Sequence, residues 1–354
     1  MLRTDATPAL PFDLIPYTKT YEYFNPFDED QSVHLSQPNL LVHGQYNLEN
    51  DIETIQKGDF WTYVCVCIRR PAKYREMLSA KLLRDHGTIW LHLMKKFMST
   101  QSSKNEIYRF TFNAFKLSGA ALDAYFLYII LNPKKRFFGE QPIHINELLE
   151  ILCTRSYEQI VEIKKNFQKV YGHDLSDSIC NKLKGSSKTF FYNVLNMRRY
   201  SRPDSYDVDI RFFVDVMYYR KNKDKFVEIF SRRSFSDIRK ICLNFEEVYG
   251  RDIRCQLYVF VKSILQKCAL AVCNYCLSKN FYFSINLKKY IKKKNINGII
   301  RLILTRSEVD FGSIIREYAF RNNIMPLDAI RPLFNHHKEL FERFMTPMLS
   351  IENY

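Results

Sequence analysis

Five lysines within nine residues, LKKYIKKKN at 287–295, can do one kind of chemistry: they hold phosphate or carboxylate oxygens by charge. Two further stretches are of the same kind. RKNKDK occupies 220–225, and NPKKRFFGEQPIH at 132–144 sets Phe137 and Phe138 beside Lys134, Lys135 and Arg136. The net charge of +15 favours an anionic partner: phospholipid, nucleic acid or an acidic protein. No paired Cys–His spacing, glycine-rich nucleotide loop or H-E-x-x-H segment is present. His144, His336 and His337 have no motif-placed cysteine or serine partner. No catalytic residue, resident cofactor or enzyme activity is therefore expected.

Nine cysteines form an odd, irregularly spaced set, and the opening MLRTDATPALPFDLIPY lacks the apolar core of a secretory leader. A reduced, cytoplasmic setting is expected. Cys268, Cys273 and Cys276 end in a C-x-x-C, but they stand in a stretch of helical composition without a second close pair, so core thiols are expected there. The longest apolar run, ALDAYFLYIIL at 121–131, is too short to span a bilayer.

These charges need elements to position them. Apolar residues make up 46% of the chain, with 28 Phe and 23 Tyr, enough for a substantial core. Residues 1–45 are proline-rich and read as an extended arm; from 46 the apolar residues recur three and four apart, the period of helices. Ile160, Ile163, Phe167, Val170 and Tyr171 trace one such stripe.

The stretch also recurs. ILCTRSYEQIVEIKKNFQKVYGHDL (151–175) matches IFSRRSFSDIRKICLNFEEVYGRDI (229–253) and, more loosely, LILTRSEVDFGSIIREYAFRNNIMPL (302–327). Aligned on Arg155, Arg233 and Arg306, the copies share Ile163, Ile241 and Ile314 eight residues on. Phe167, Phe245 and Tyr318 follow at twelve. Arg70 opens a weaker copy with Leu78 at plus eight and His86-Gly87 where the others have Tyr-Gly. A fourfold helical repeat follows. The repeated arginine, at the end of an apolar helix, is expected to tie helix ends together, and Asp174 and Asp252 to cap the next helices.

The pattern I-L-x-x-R-S, then I-x-x-x-F/Y-x-x-x-Y-G-x-D-L, resembles the annexin repeat. The resemblance implies an all-α fold, a curved disc of four five-helix repeats. The expected divisions are an arm at 1–45 and repeats at 46–119, 120–200 (with an insertion at 132–144), 201–266 and 267–350. It also implies that loops joining the first two helices, and the fourth and fifth, lie on a convex face and bind calcium and, through it, anionic phospholipid.

The annexin calcium site resembles G-x-G-T, begun fifteen residues before the anchor arginine, with a carboxylate thirty-three after it. Glycines let carbonyl oxygens converge on a hard cation. At those positions this chain has Ile55, Lys57 and Gly58; Glu140, Pro142 and Ile143; Tyr218, Arg220 and Lys221; Ile291, Lys293 and Lys294. The acid position holds Ser103, Lys188, Gln266 and Glu339, so Glu339 alone keeps a carboxylate and no metal site is assigned. Asp59 and Glu140 fall near the ligand positions without matching them. The expectation is calcium-independent binding of anionic lipid through Lys134, Lys135, Arg136, Phe137, Phe138, Arg220, Lys221, Lys223, Lys292, Lys293 and Lys294. The alternatives are a cytoskeletal or coat scaffold meeting acidic protein and, less favoured, RNA or DNA on the same face. Aromatic residues do not punctuate the basic loops at base-stacking intervals.

Overall fold

The computed structural model describes residues 46–100, 106–133, 144–202, 205–219, 221–261 and 263–350. Its helices fall into four successive groups. The first holds α1 (Leu48–Lys57), α2 (Phe60–Ile68), α3 (Ala72–Thr100) and α4 (Glu106–Phe115). The second holds α5 (Gly119–Leu131), α6 (Ile145–Leu152), α7 (Tyr157–Tyr171), α8 (Leu175–Cys180) and α9 (Gly185–Asn196). The third runs through α10 (Tyr206–Tyr219), α11 (Lys223–Arg232), α12 (Phe235–Tyr249), α13 (Ile253–Phe260) and α14 (Ser263–Leu277). The fourth has α15 (Lys279–Lys292), α16 (Ile296–Arg306), α17 (Phe311–Asn322), α18 (Pro326–Ile330) and a closing helical segment at 338–349. Among the described residues the only extended pairing is an isolated bridge between Tyr200 and Arg233.

The first group reaches five because α3 is two helices in line, broken at His86, whose φ of −135° and ψ of 34° leave the helical region. In the second and third groups the same junction is a stop. Gly172 and Gly250 take left-handed φ values of 73° and 62° and end α7 and α12, which a side chain would resist. The next helices are then capped by Asp174, which accepts from the Asp177 amide, and Asp252, which accepts from the Arg254 amide. Both expected caps are present.

The repeated apolar positions form the core. Leu78, Ile163, Ile241 and Ile314 are all buried, as are Phe167, Phe245 and Tyr318. Val170 and Tyr171 are only partly buried, and Tyr171 stacks on Tyr128 with ring centroids 3.9 Å apart. The expected junction at 266/267 falls inside α14, and that at 119/120 falls one residue into α5. α14 packs on α12 and α13 and closes the third group at Leu277, a boundary that sequence could not place because the helical period runs through it unbroken.

Two joints between groups fix the array. Glu308 of the fourth group accepts from the Ala72 amide at the start of α3 (2.9 and 3.1 Å) and from Arg75 (3.0 Å). Between the second and fourth groups, Arg301 of α16 pairs with Glu147 (2.5 Å) and Glu150 (3.2 Å) of α6. Tyr290 and Asn286 also donate to Glu150, at 2.6 and 3.1 Å. Burial pushes the Glu150 carboxyl above its usual range, against the pull of Arg301. The joint therefore depends on every partner being present.

Candidate lipid-facing surface

The anchor arginines define one end of the helix array. Arg70 holds Asp51 of α1 through Nε and Nη2 at 2.8 and 2.7 Å. Arg155 holds Asp123 of α5 in the same two-pronged way, at 2.7 and 2.9 Å. Arg233 reaches Asp209 of α10 at 2.6 Å and Asp237 at 3.5 Å. In each case the end of a group's second helix is tied to the beginning of its first, so the pair is antiparallel. The fourth group departs from this: Arg306 pairs with Asp310, four residues on, and its guanidinium lies 4.4 Å from the Phe283 ring of α15. Arg70, Arg155 and Arg233 thus each tie two helices of their group, and the partner acids are what sequence did not reveal.

Contacts between groups show that these ends meet. Tyr275, near the end of α14, donates to the Thr154 carbonyl just past α6 (3.3 Å). Arg199, just past α9, donates to the carbonyls of Phe230 and Arg233 at the end of α11 (3.2 and 2.7 Å). Asn193 of α9 donates to Ser231 of α11 at 3.0 Å. The Phe283 ring, beneath Arg306 at the end of α16, lies 6.2 Å from that of Tyr275. The C-terminal ends of α6, α9, α11, α14 and α16 thus gather together.

Where these helices run side by side, their N-terminal ends lie together one helix length away, at about 1.5 Å per residue. A direct link confirms it for two of them: Asn295, the cap of α16, donates to Glu147 in the first turn of α6 at 2.9 Å. The basic segments lead into these N-termini. Lys292 ends α15, Lys293 and Lys294 form the turn into α16, and all three are exposed, with Lys294 at a left-handed φ of 53°. Residues 287–291 are helical, with Leu287 and Tyr290 buried. Lys221 and Lys223 are exposed at the entry to α11. Lys134, Lys135, Arg136, Phe137 and Phe138, like Arg220 and Glu140, lie outside the described residues; the insertion that carries the first five leaves α5 and returns at His144, before α6.

Three cations escaped the sequence reading. Lys182, Lys184 and Lys188 are exposed around the start of α9, on this same side. Lys188 stands at the acid position of the second copy, and the short spacing Lys-x-Lys-x-x-x-Lys is the signal that the sequence carries.

The positions weighed as metal ligands are otherwise engaged. Gly58 has an extended φ of −106°, and the space its side chain would need is filled by Thr62. Asp59 caps α2 in a reciprocal box with Thr62, and the Thr62 amide holds its carboxyl below the usual range. Gln266 donates to the carbonyls of Leu257 and Tyr258 (3.3 and 2.7 Å). Glu339 lies 3.7 Å from Arg343. Among the described residues no three metal-ligating side chains assemble. Cys268, Cys273 and Cys276 are buried on α14, and burial pushes their thiols well up. His144 is exposed at the start of α6, whereas His336 and His337 precede the closing segment, with His337 edge-on to Tyr108.

Comparison with known proteins accords with this architecture. The annexin family model matches residues 144–193. Annexin D5 of Arabidopsis thaliana is 25% identical over 212 residues, 58% of this chain and 65% of that protein. Mouse Annexin A1 is 22% identical over 303 residues, 80% of this chain and 83% of that one. The solved structure of annexin III superposes with a TM-score of 0.76 at 17% identity, covering 89% of this chain and 98% of that one. The chain is a divergent member of the annexin family. Its four five-helix groups are the annexin repeats, and the fold is the all-α disc. Calcium-bound annexin (Sm)1 shares this fold, with a TM-score of 0.72 at 13% identity over 90% of this chain and 94% of that one. The match to Annexin D5 spans just under two thirds of that relative, and that to human Annexin A13 spans 61%. Among the described residues, no helix of this annexin is long and apolar enough to cross a membrane.

Proposed function

We propose that this annexin binds anionic phospholipid surfaces directly, its lysines standing where a calcium bridge would otherwise form. The observation that supports the reading is that Lys182, Lys184, Lys188, Lys221, Lys223 and Lys292–Lys294 stand exposed around the N-terminal ends of α9, α11 and α16. Lys134, Lys135, Arg136 and Arg220 belong to the same set by sequence, with Phe137 and Phe138 as candidates to enter the headgroup layer.

Each lysine at an anionic bilayer contributes on the order of 1 kcal/mol, and the attraction fades over a Debye length. Several acting together suffice for peripheral attachment without a metal. The expected behaviour is co-sedimentation with phosphatidylserine vesicles in EGTA at low salt, release at high salt, and none with phosphatidylcholine alone. A chain whose partner is an acidic protein would leave both kinds of vesicle unbound in EGTA.

A further inference from the structure

Two thiols in the core of the third repeat make a contact that the basic surface does not use. Cys242 of α12 and Cys273 of α14 are 2% and 0% exposed, and their sulfurs are 3.6 Å apart. The two positions are separated by 31 residues along the chain, so the pair joins helices that only packing brings together. One guanidinium stands close by. Arg254 of α13 donates to Asn274, the residue after Cys273, at 3.4 Å while keeping 31% of its side chain exposed, and it pairs with Asp252 at 2.5 Å. A partly exposed side chain thus meets the helix turn that carries Cys273.

We propose that Cys242 and Cys273 are a redox-responsive pair that closes to a disulfide under a two-electron oxidant of the peroxide class, locking α12 onto α14. One thiol attacks the peroxide; a sulfur–oxygen bond forms, the oxygen–oxygen bond breaks, and sulfenic acid and one water result. The second sulfur then displaces that hydroxyl, which leaves with the second thiol's proton as another water. Two thiols are oxidised and one peroxide is reduced to two waters. The sulfurs must approach from 3.6 Å to about 2.05 Å, a small adjustment for two packed helices. Cys276, three residues beyond Cys273 on the same helix and likewise buried, is the competing partner and the necessary control. Burial opposes thiolate formation at Cys273, so the reaction is expected to be slow and limited by local opening.

The test uses the intact chain. Exposed Cys65 and Cys255 are first alkylated on the native protein, hydrogen peroxide is added, and the protein is unfolded, labelled again and mapped by mass spectrometry. The result expected is a single peptide pair joined through Cys242 and Cys273, with Cys276 labelled as a free thiol and the link lost in dithiothreitol. Cys276→Ser is expected to leave its yield unchanged, and Cys273→Ser to lower it at least tenfold. Full labelling of both Cys242 and Cys273 after peroxide, or a link running through Cys276, would overturn the proposal. The mapping is done on the unaltered sequence, so it stands even where a variant fails to fold.

Discussion

The two ends of the helix array are built from opposite charge economies. At one end each repeat sets an arginine against acid: Arg70, half-buried, with Asp51, and the buried Arg155 with Asp123, Arg233 with Asp209 and Arg306 with Asp310. At the other end lysines stand exposed at the starts of α9, α11 and α16. A buried ion pair that loses one partner leaves a stranded charge, so the first end is intolerant of change. Solvated lysines cost the fold little, so the second end is open to change in binding without change in stability.

That contrast is broken most severely at Asp123. Asp123→Ala leaves the Arg155 guanidinium buried without its carboxylate, and urea unfolding is expected to show a loss of about 3–5 kcal/mol. A loss below about 1 kcal/mol would mean that the anchor is not what holds the repeat. Reversing Lys292, Lys293 and Lys294 to glutamate is expected to weaken vesicle binding in EGTA by about two orders of magnitude. The same change should move the unfolding free energy by no more than about 0.5 kcal/mol. If stability fell as far as binding, the two ends would not be separable.

A milder probe of the anchored end is the cap that follows Arg155. Ser156 accepts from the Gln159 amide while Gln159 returns a bond to the Ser156 amide. Ser156→Ala is expected to cost about 1 kcal/mol in the same unfolding experiment and to leave vesicle binding untouched. The smallest effect is one of pH. Burial pushes the Asp51 carboxyl up, but bonds from Arg70 and Tyr74 outweigh it and hold the folded-state pKa below the usual carboxylate value. Its contribution is therefore complete above that usual value and is lost as pH falls through the lower, folded one. Asp51→Asn is expected to flatten this acid limb of the stability curve, and an unchanged limb would assign it to other carboxylates.

Much of the anchored end was legible in the sequence. The arginine, the isoleucine eight residues on and the aromatic at twelve all lie within one helix–turn–helix stretch, where spacing is fixed by the helical period. The acids were not legible. Asp51 precedes its arginine by 19 residues and Asp123 by 32, because a loop of variable length separates them. The fourth repeat then breaks the pattern, with Phe283 under Arg306 and Asp310 taking over as partner. On the other side, the lysine runs at 221–223 and 292–294 stood out by density, whereas Lys182, Lys184 and Lys188 are spread over a turn and a helix start. Only the parallel packing of α9 and α11, read from Asn193 and Ser231, brings them to the others.

The most direct test of the central claim is vesicle co-sedimentation measured with and without calcium on the same preparation. Equal binding to phosphatidylserine vesicles in EGTA and in millimolar calcium, with loss at high salt, is the result expected of lysines acting alone. Binding that appears only when calcium is added would contradict it.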